Sequence, residues 1–430
     1  MSRGLGSPLS FLMTGWTWLL LTSLVGLATF LGIARGLPLP PGLRMLHVHG
    51  ALIGGLTQII TGLALAAVEL AGREGKRTAR RGLFLVLNLA ALGLAAGSWY
   101  RNSNLIIGGG LFFLAIFIPL ARELMTALRT CPEWTLLSGF FFGISLSGLL
   151  AAGILGEFLA GAWFPTWHGQ LRLGHVHGGL LVFLTLATVG TIQLALPPLM
   201  NRPLRNAGLG QTVFLLLPAG VAGLMTGFLL SSVHIQLVAG SCLVVTLALC
   251  TWNLFRTWHQ AGQPASSASD HLMTGLCLLF IMALTGMAVG TNVLWTPPVM
   301  PYGTLHLVAY THMAFIGFLL QAIVGGLSSA LPRLLSAQRV TSQKKRSAYR
   351  EVLERIMDRW RALEVGALSF GTLGLVLVAS LTWNFPLSSP WIHTATWVSL
   401  GLLLGSLTLF TMKLTQVVGT QPTAERAGIQ

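Results

Sequence analysis

The chain has 430 residues, 53% of them hydrophobic and only 9% charged, a balance that excludes a soluble globular protein. Its formal net charge of +15 invites a nucleic-acid ligand, but the basic residues are placed for another purpose, shown below. Cys131, Cys242, Cys250 and Cys277 form neither C-x-x-C nor C-x-x-C-H, which removes iron–sulfur ligation and covalent c-type haem attachment.

Twelve apolar runs of roughly 20 residues, enough to cross a bilayer, are predicted along the chain. They lie at about 10–33, 46–71, 82–100, 104–127, 135–162, 173–198, 208–230, 235–256, 271–295, 305–331, 363–383 and 391–416. The first continues to about Ile33 without a small-residue cleavage pattern, so it reads as an uncleaved span rather than a signal peptide. The expectation is an all-α polytopic membrane protein, a single membrane domain of twelve transmembrane helices.

Lysine and arginine set the orientation. The loops after spans 2, 4, 6, 8 and 10, the two termini and the span ends that adjoin them hold 22 of the 26 basic residues. The other face has only Arg35, Arg44, Arg101 and Arg172. Both termini are therefore expected in the cytoplasm, and the charge is a topology signal with no nucleic-acid partner. After span 10, the segment at 340–361 puts Tyr349, Val352, Leu353, Ile356, Met357 and Trp360 on one helical face. A helix lying on the cytoplasmic membrane surface is predicted there, its basic cluster meeting anionic lipid. Residues 261–270 read as a polar linker without chemistry, and the tail after Gly419 as disordered.

One stretch occurs three times. Residues 45–62 read MLHVHGALIGGLTQIITG, residues 173–197 read LGHVHGGLLVFLTLATVGTIQLALP, and residues 308–332 read VAYTHMAFIGFLLQAIVGGLSSALP. Aligning His49, His177 and His312 brings them into register, with offsets of 128 and 135 residues, close to a third of the chain. Two residues earlier stand His47, His175 and Tyr310. The repeat units are about 1–130, 131–260 and 266–430, each of four spans with the motif opening the second.

Spans 2, 6 and 10 start on the less basic face, so these side chains share one depth near that face. Two residues along a helix is a rotation of about 200°, so the members of each pair serve opposite sides of their span. A lone intramembrane histidine is more often a hydrogen bond between helices. Five at one depth on three repeat-related helices point instead to a metal or haem site, since neutral imidazole suits haem iron, copper and zinc. Glu157, late in span 5, is the one nearby carboxylate, a ligand or proton relay if buried and a helix-end charge if exposed. Gln58 and Gln321 occupy matching repeat positions and read as interhelical hydrogen-bond groups.

This pattern resembles subunit I of the haem–copper oxidase superfamily, in its cytochrome cbb-type and nitric oxide reductase branches. The resemblance implies three four-helix arcs. Leu43–His49 (LRMLHVH) is similar to the segment carrying the family's low-spin haem ligand. Gly174-His175, with the run into Pro197 and then Asn201-Arg202-Pro203-Leu204, is similar to the family's span 6, whose histidine binds copper. Tyr310-Thr311-His312 falls where the family has H-x-H, the first histidine on the high-spin haem and the second on the low-spin haem. The chain departs from the family at Tyr310 and in span 7, which has no histidine pair; His234 lies beyond it and His306 is one to two turns from His312. A haem–copper fold without the oxygen-reducing centre is similar to the NnrS family, associated with nitric oxide stress.

The resemblance implies a b-type haem held by His312 with His47 or His49, and copper or a second haem at His175 and His177. Tyr310, His306 and Glu157 are further candidates. It also implies electron transfer or small-gas (nitric oxide or dioxygen) metabolism, an oxidoreductase by class. The partners would be the lipid bilayer, a cytochrome c-like or quinol donor and further membrane subunits, in a prokaryotic inner membrane. The competing class is a non-redox metal or haem transporter or a gas sensor, although transporter sites lie nearer the midplane.

Overall fold

The computed structural model describes residues 4–34, 37–72, 77–130, 135–262, 266–292, 294–295, 309–382, 385–386 and 388–422, which are helical with no strand among them. Unit 1 comprises α1 (Pro8–Ala34), α2 (Leu43–Leu70), α3 (Arg77–Tyr100) and a broken pair, α4 (Ser103–Ala115) and α5 (Phe117–Leu128). Unit 2 comprises α6 (Leu136–Ala160), α7 (Pro165–Leu199), α8 (Ala207–Leu229) and α9 (Val233–Gln260). Unit 3 comprises α10 (Ser267–Asn292), α11 (Met313–Arg339), a short α12 (Gln343–Asp358), α13 (Arg361–Leu381) and α14 (Pro390–Gly419).

Eleven of these helices are long and apolar enough to cross a bilayer, and the pair α4–α5, bent by 43°, makes twelve if it is one span. The predicted run at about 104–127 is thus not a straight helix. Pro119 lacks the N–H that would reach Ala115, and its ring presses on that carbonyl, so the break falls at Ile116. Pro332 has no such effect: α11 runs through it to Arg339, well past the predicted end of span 10.

Each unit repeats one packing plan. The second span lies between the first and third spans of its own unit: α2 between α1 and α3, α7 between α6 and α8, α11 between α10 and α13. The units meet at three seams, α4 on α6, α9 on α10, and unit 3 back on unit 1. At the last seam Trp16 Nε1 donates to Thr411 Oγ1 at 3.0 Å, its ring lies 4.8 Å from Phe410, and Gln338 Nε2 donates to Glu69 Oε1 at 2.8 Å. The ring of helices is closed, and the start of α1 lies beside the end of α14 at the same face. The outer surface exposes large apolar side chains such as Leu136 (79%), Ile118 (77%) and Val238 (73%), the surface of an integral membrane protein in contact with lipid.

The helix at 343–358 forms, but its apolar face is turned to protein rather than to membrane. Tyr349, Leu353 and Met357, at i, i+4 and i+8, are buried against α11 and α14, while Val352 and Trp360 are exposed. Tyr349 Oη donates to the Thr420 carbonyl at 2.6 Å, and Arg339 reaches both, so Thr420, just past Gly419, is fixed; residues 423–430 of the predicted disordered tail lie outside the described ones. One further expectation changes. Residues 267–270 are not linker but the first turn of α10, with Ser267 and Ser269 buried. Lys413, within α14, is 3% exposed and paired with Glu364.

Candidate functional site

Each motif histidine opens an irregular turn. Directly after His49, His177 and His312 the helix widens into an eight-residue π segment, Gly50–Thr57, Gly178–Thr185 and Met313–Leu320. A π turn shifts each carbonyl off its usual partner, and such turns gather at functional sites. Two hydroxyls at the same repeat position take up displaced carbonyls: Thr57 Oγ1 donates to Leu52 O and Thr185 Oγ1 to Leu180 O, both at 2.9 Å. Glycine lets α1 approach, for a Cβ on Gly54 would sit 2.5 Å from the Trp18 ring.

The first member of each pair seats in a notch on the preceding helix. A Cβ on Gly26 would fall 2.7 Å from His47 Cε1, one on Gly156 3.0 Å from His175 Cε1, and one on Gly286 3.1 Å from Tyr310 Cε2. His47 Nδ1 donates to Thr22 O at 2.7 Å and His175 Nδ1 to Ala152 O at 2.8 Å, one turn from the notch. The second member bonds within its own helix, His49 Nδ1 to Met45 O at 3.0 Å and His177 Nδ1 to Leu173 O at 2.9 Å. A carbonyl partner fixes the proton on Nδ1 and leaves the Nε2 lone pair for a ligand, as in histidines that bind metals. Sequence reading missed the notches, although Gly26, Gly156 and Gly286 stand at intervals of 130 residues.

The structure brings together His49 and His175, from different units. Their rings lie 6.0 Å apart between centroids and 25° from parallel. Both remain only half-buried within the bundle, so space adjoins the rings. His177 turns elsewhere and packs 4.4 Å from the Phe228 ring, so His175 and His177 have different neighbours. His47 rests in its notch, Tyr310 rests against Gly286, and His312 begins the third π segment. His306 lies outside the described residues.

Glu157 is not a helix-end surface charge. It is 8% exposed, its Oε1 occupies the place of a Cβ on Gly110 of α4, and its Oε2 has no hydrogen-bond partner. Gly156 beside it faces His175, so the carboxylate is turned to another helix. Of the two glutamines, Gln58 Nε2 donates to Asn88 Oδ1 at 2.9 Å, and Gln321 Nε2 to Ser369 Oγ at 3.0 Å.

This donor set discriminates among cofactors. Among the described residues no three His, Cys, Asp or Glu side chains gather as a metal-binding group. Structural zinc needs four protein ligands and catalytic zinc three, so neither fits two imidazoles. Haem iron brings four nitrogens of its own and asks for two at most. An open cleft of about 380 Å³, lined by Arg202, Arg205, Thr257 and Gln260, lies beyond the far end of α7 from the histidines. No protein-family description matches the chain, and no curated protein is detectably similar to it.

Proposed function

We propose that the chain is a membrane protein that binds b-type haem and transfers electrons, with His49 and His175 as the residues that would hold the haem. The observation that carries this is their apposition across a unit seam, each with Nδ1 committed to a carbonyl and Nε2 unspent. A b-type haem held by these two imidazoles would supply one-electron transfer. The chain's own part is to hold the rings. The notch at Gly156 and the bonds to Ala152 and Met45 limit their rotation, and the anchoring carbonyls make each imidazole a better donor. With no C-x-x-C-H, attachment is through these nitrogens alone.

The repeat extends the pairing. His49 is the second position of unit 1 and His175 the first of unit 2. The same step pairs His177 with Tyr310, and His312 with His47. We read His47 and His312 as a second pair that would hold haem, and the seam between units 2 and 3, with one imidazole and one phenol, as lacking a conventional oxygen-reducing centre. Copper at His175 and His177 is disfavoured by their separate neighbours. The positive-inside count supports both termini in the cytoplasm; the haem reading adds a prokaryotic inner membrane and an external cytochrome or quinol as donor.

The test is haem content and the reduced visible spectrum of purified protein supplied with haem. Two haems per chain are expected, with one lost in His175→Ala, the other lost in His312→Ala, and both retained in His177→Ala. A chain that takes up no haem overturns the reading and favours a transporter of metal ions. Full haem in His175→Ala removes that residue from ligation.

A further inference from the structure

A second cluster of ionisable side chains lies in unit 3, toward the end of the bundle opposite the motif histidines. His271 of α10, Gln321 of α11, Glu364 of α13 and Lys413 of α14 are each 3% exposed or less. The Lys413 ammonium contacts Glu364 Oε2 and donates to Met357 O at 2.8 Å. Glu364 Oε2 also faces His271 Nε2 at 3.9 Å, and His271 Nδ1 meets Gln321 Oε1.

The hydrogen bonds fix where the protons are. Ser369 Oγ donates to Val365 O at 2.7 Å, so it must accept from Gln321, whose Nε2 donates to it at 3.0 Å. That orientation aims Gln321 Oε1 at His271, and an oxygen there requires the proton on Nδ1. In neutral His271 the Nε2 lone pair then points at a carboxylate oxygen, an acceptor against an acceptor. Neither His271 Nε2 nor Glu364 Oε1 has a hydrogen-bond partner. The chain of bonds is complete except for one proton.

The repeat shows that packing does not require charge here. Residues 11–15 read FLMTG and residues 271–275 read HLMTG, 260 positions later, and Phe141 stands halfway between. Units 1 and 2 thus place a fully buried phenylalanine where unit 3 has His271. In unit 1, Phe11 packs edge-on to Phe84 at 5.1 Å, one turn before Asn88, as Glu364 lies just over one turn before Ser369. An aromatic pair in one unit is an imidazole and a carboxylate in another.

We propose that His271, Glu364 and Lys413 form a buried proton-binding site, open to protons from the basic face. One proton from hydronium joins the Nε2 lone pair, leaving water behind; the acceptor–acceptor contact becomes an imidazolium–carboxylate pair, and the cluster goes from neutral to +1. The surroundings suit that charge. Lys413 bonds the Met357 carbonyl in the last turn of α12, where the helix dipole favours a cation. Glu364 is in the first turn of α13, where the dipole favours an anion. The other charged groups about the site are already engaged: Asp270 pairs with Arg361 at 3.2 Å, and Asp358 accepts from Ser267 N at 2.6 Å. Asp270 and Arg361 are partly exposed one position from His271 and three from Glu364, so water comes within a turn of the cluster.

The experiment is a pH titration of ¹⁵N-histidine-labelled full chain in lipid nanodiscs by NMR, independent of haem. The signal absent in His271→Phe, a change the repeat units tolerate, identifies the residue. His271 is expected to shift from the Nδ1–H tautomer to imidazolium as pH falls. In the charge-balanced double variant Glu364→Gln, Lys413→Met, the facing carboxylate is gone, and proton binding is expected to weaken about tenfold. A native His271 that stays neutral across the titration overturns the proposal, as does an unchanged titration in the double variant.

Discussion

At the residue scale the site depends on what is missing as much as on what is present. Gly26, Gly156 and Gly286 hold no side chain where a ring must lie. Other glycines are not so placed: a Cβ on Gly26 would stand 2.7 Å from the His47 ring, whereas one on Gly82 would meet nothing within 4 Å. Gly26→Ala is therefore expected to displace His47 from the Thr22 carbonyl and to destabilise the protein by about 1–3 kcal/mol. Gly82→Ala, on an open surface, is the control and is expected to be neutral or slightly stabilising. Thermal unfolding in detergent checks both, and equal melting temperatures would show that the ring moves aside freely.

At the element scale, the short α12 shows how an amphipathic pattern can be satisfied in two ways. A helix with Tyr349, Leu353 and Met357 on one side must cover them, and lipid or protein would serve equally by hydropathy. Protein covers them here because Arg339, Tyr349 and the Thr420 carbonyl join the ends of α11, α12 and α14. Leu353 is 0% exposed, so Leu353→Asp buries a charge without a partner and is expected to release α12. Limited proteolysis should then cut between 340 and 361 at least tenfold faster, while the spanning helices remain protected. Unchanged cleavage would mean that the docking contributes nothing to holding α12.

At the scale of the whole molecule, three units close into one ring, and sites arise where units meet. Trp16 with Thr411 and Phe410 shows the closure of the last unit on the first, and it sets the start of α1 and the end of α14 at one face. On the orientation proposed from the positive-inside rule, that face, with Arg80, Arg81, Arg339 and Arg361, is the cytoplasmic one. A reporter enzyme fused after Thr420 is expected to be active only when confined to the cytoplasm. Activity on the outer side would reverse the assignment and, with it, the face from which protons reach His271.

The sequence by itself determined the class and the recurrence. Hydropathy sets the spans because a backbone in lipid must satisfy its own hydrogen bonds, and the motif headed by His49, His177 and His312 is local enough to read directly. Even the 130-residue spacing of the notch glycines was there, masked because isolated glycines are common in such helices. Only the tertiary structure decided which histidine meets which. His49 and His175 lie 126 residues apart, and their meeting depends on α4 packing on α6, a contact that no local period encodes. The same holds for His271, Glu364 and Lys413, drawn from three helices. Taken singly they read as the ends of spans, where lysine and glutamate ordinarily reach water. Packing among the helices of unit 3 buried them together, and desolvation made them a cluster of charges that must find partners in one another.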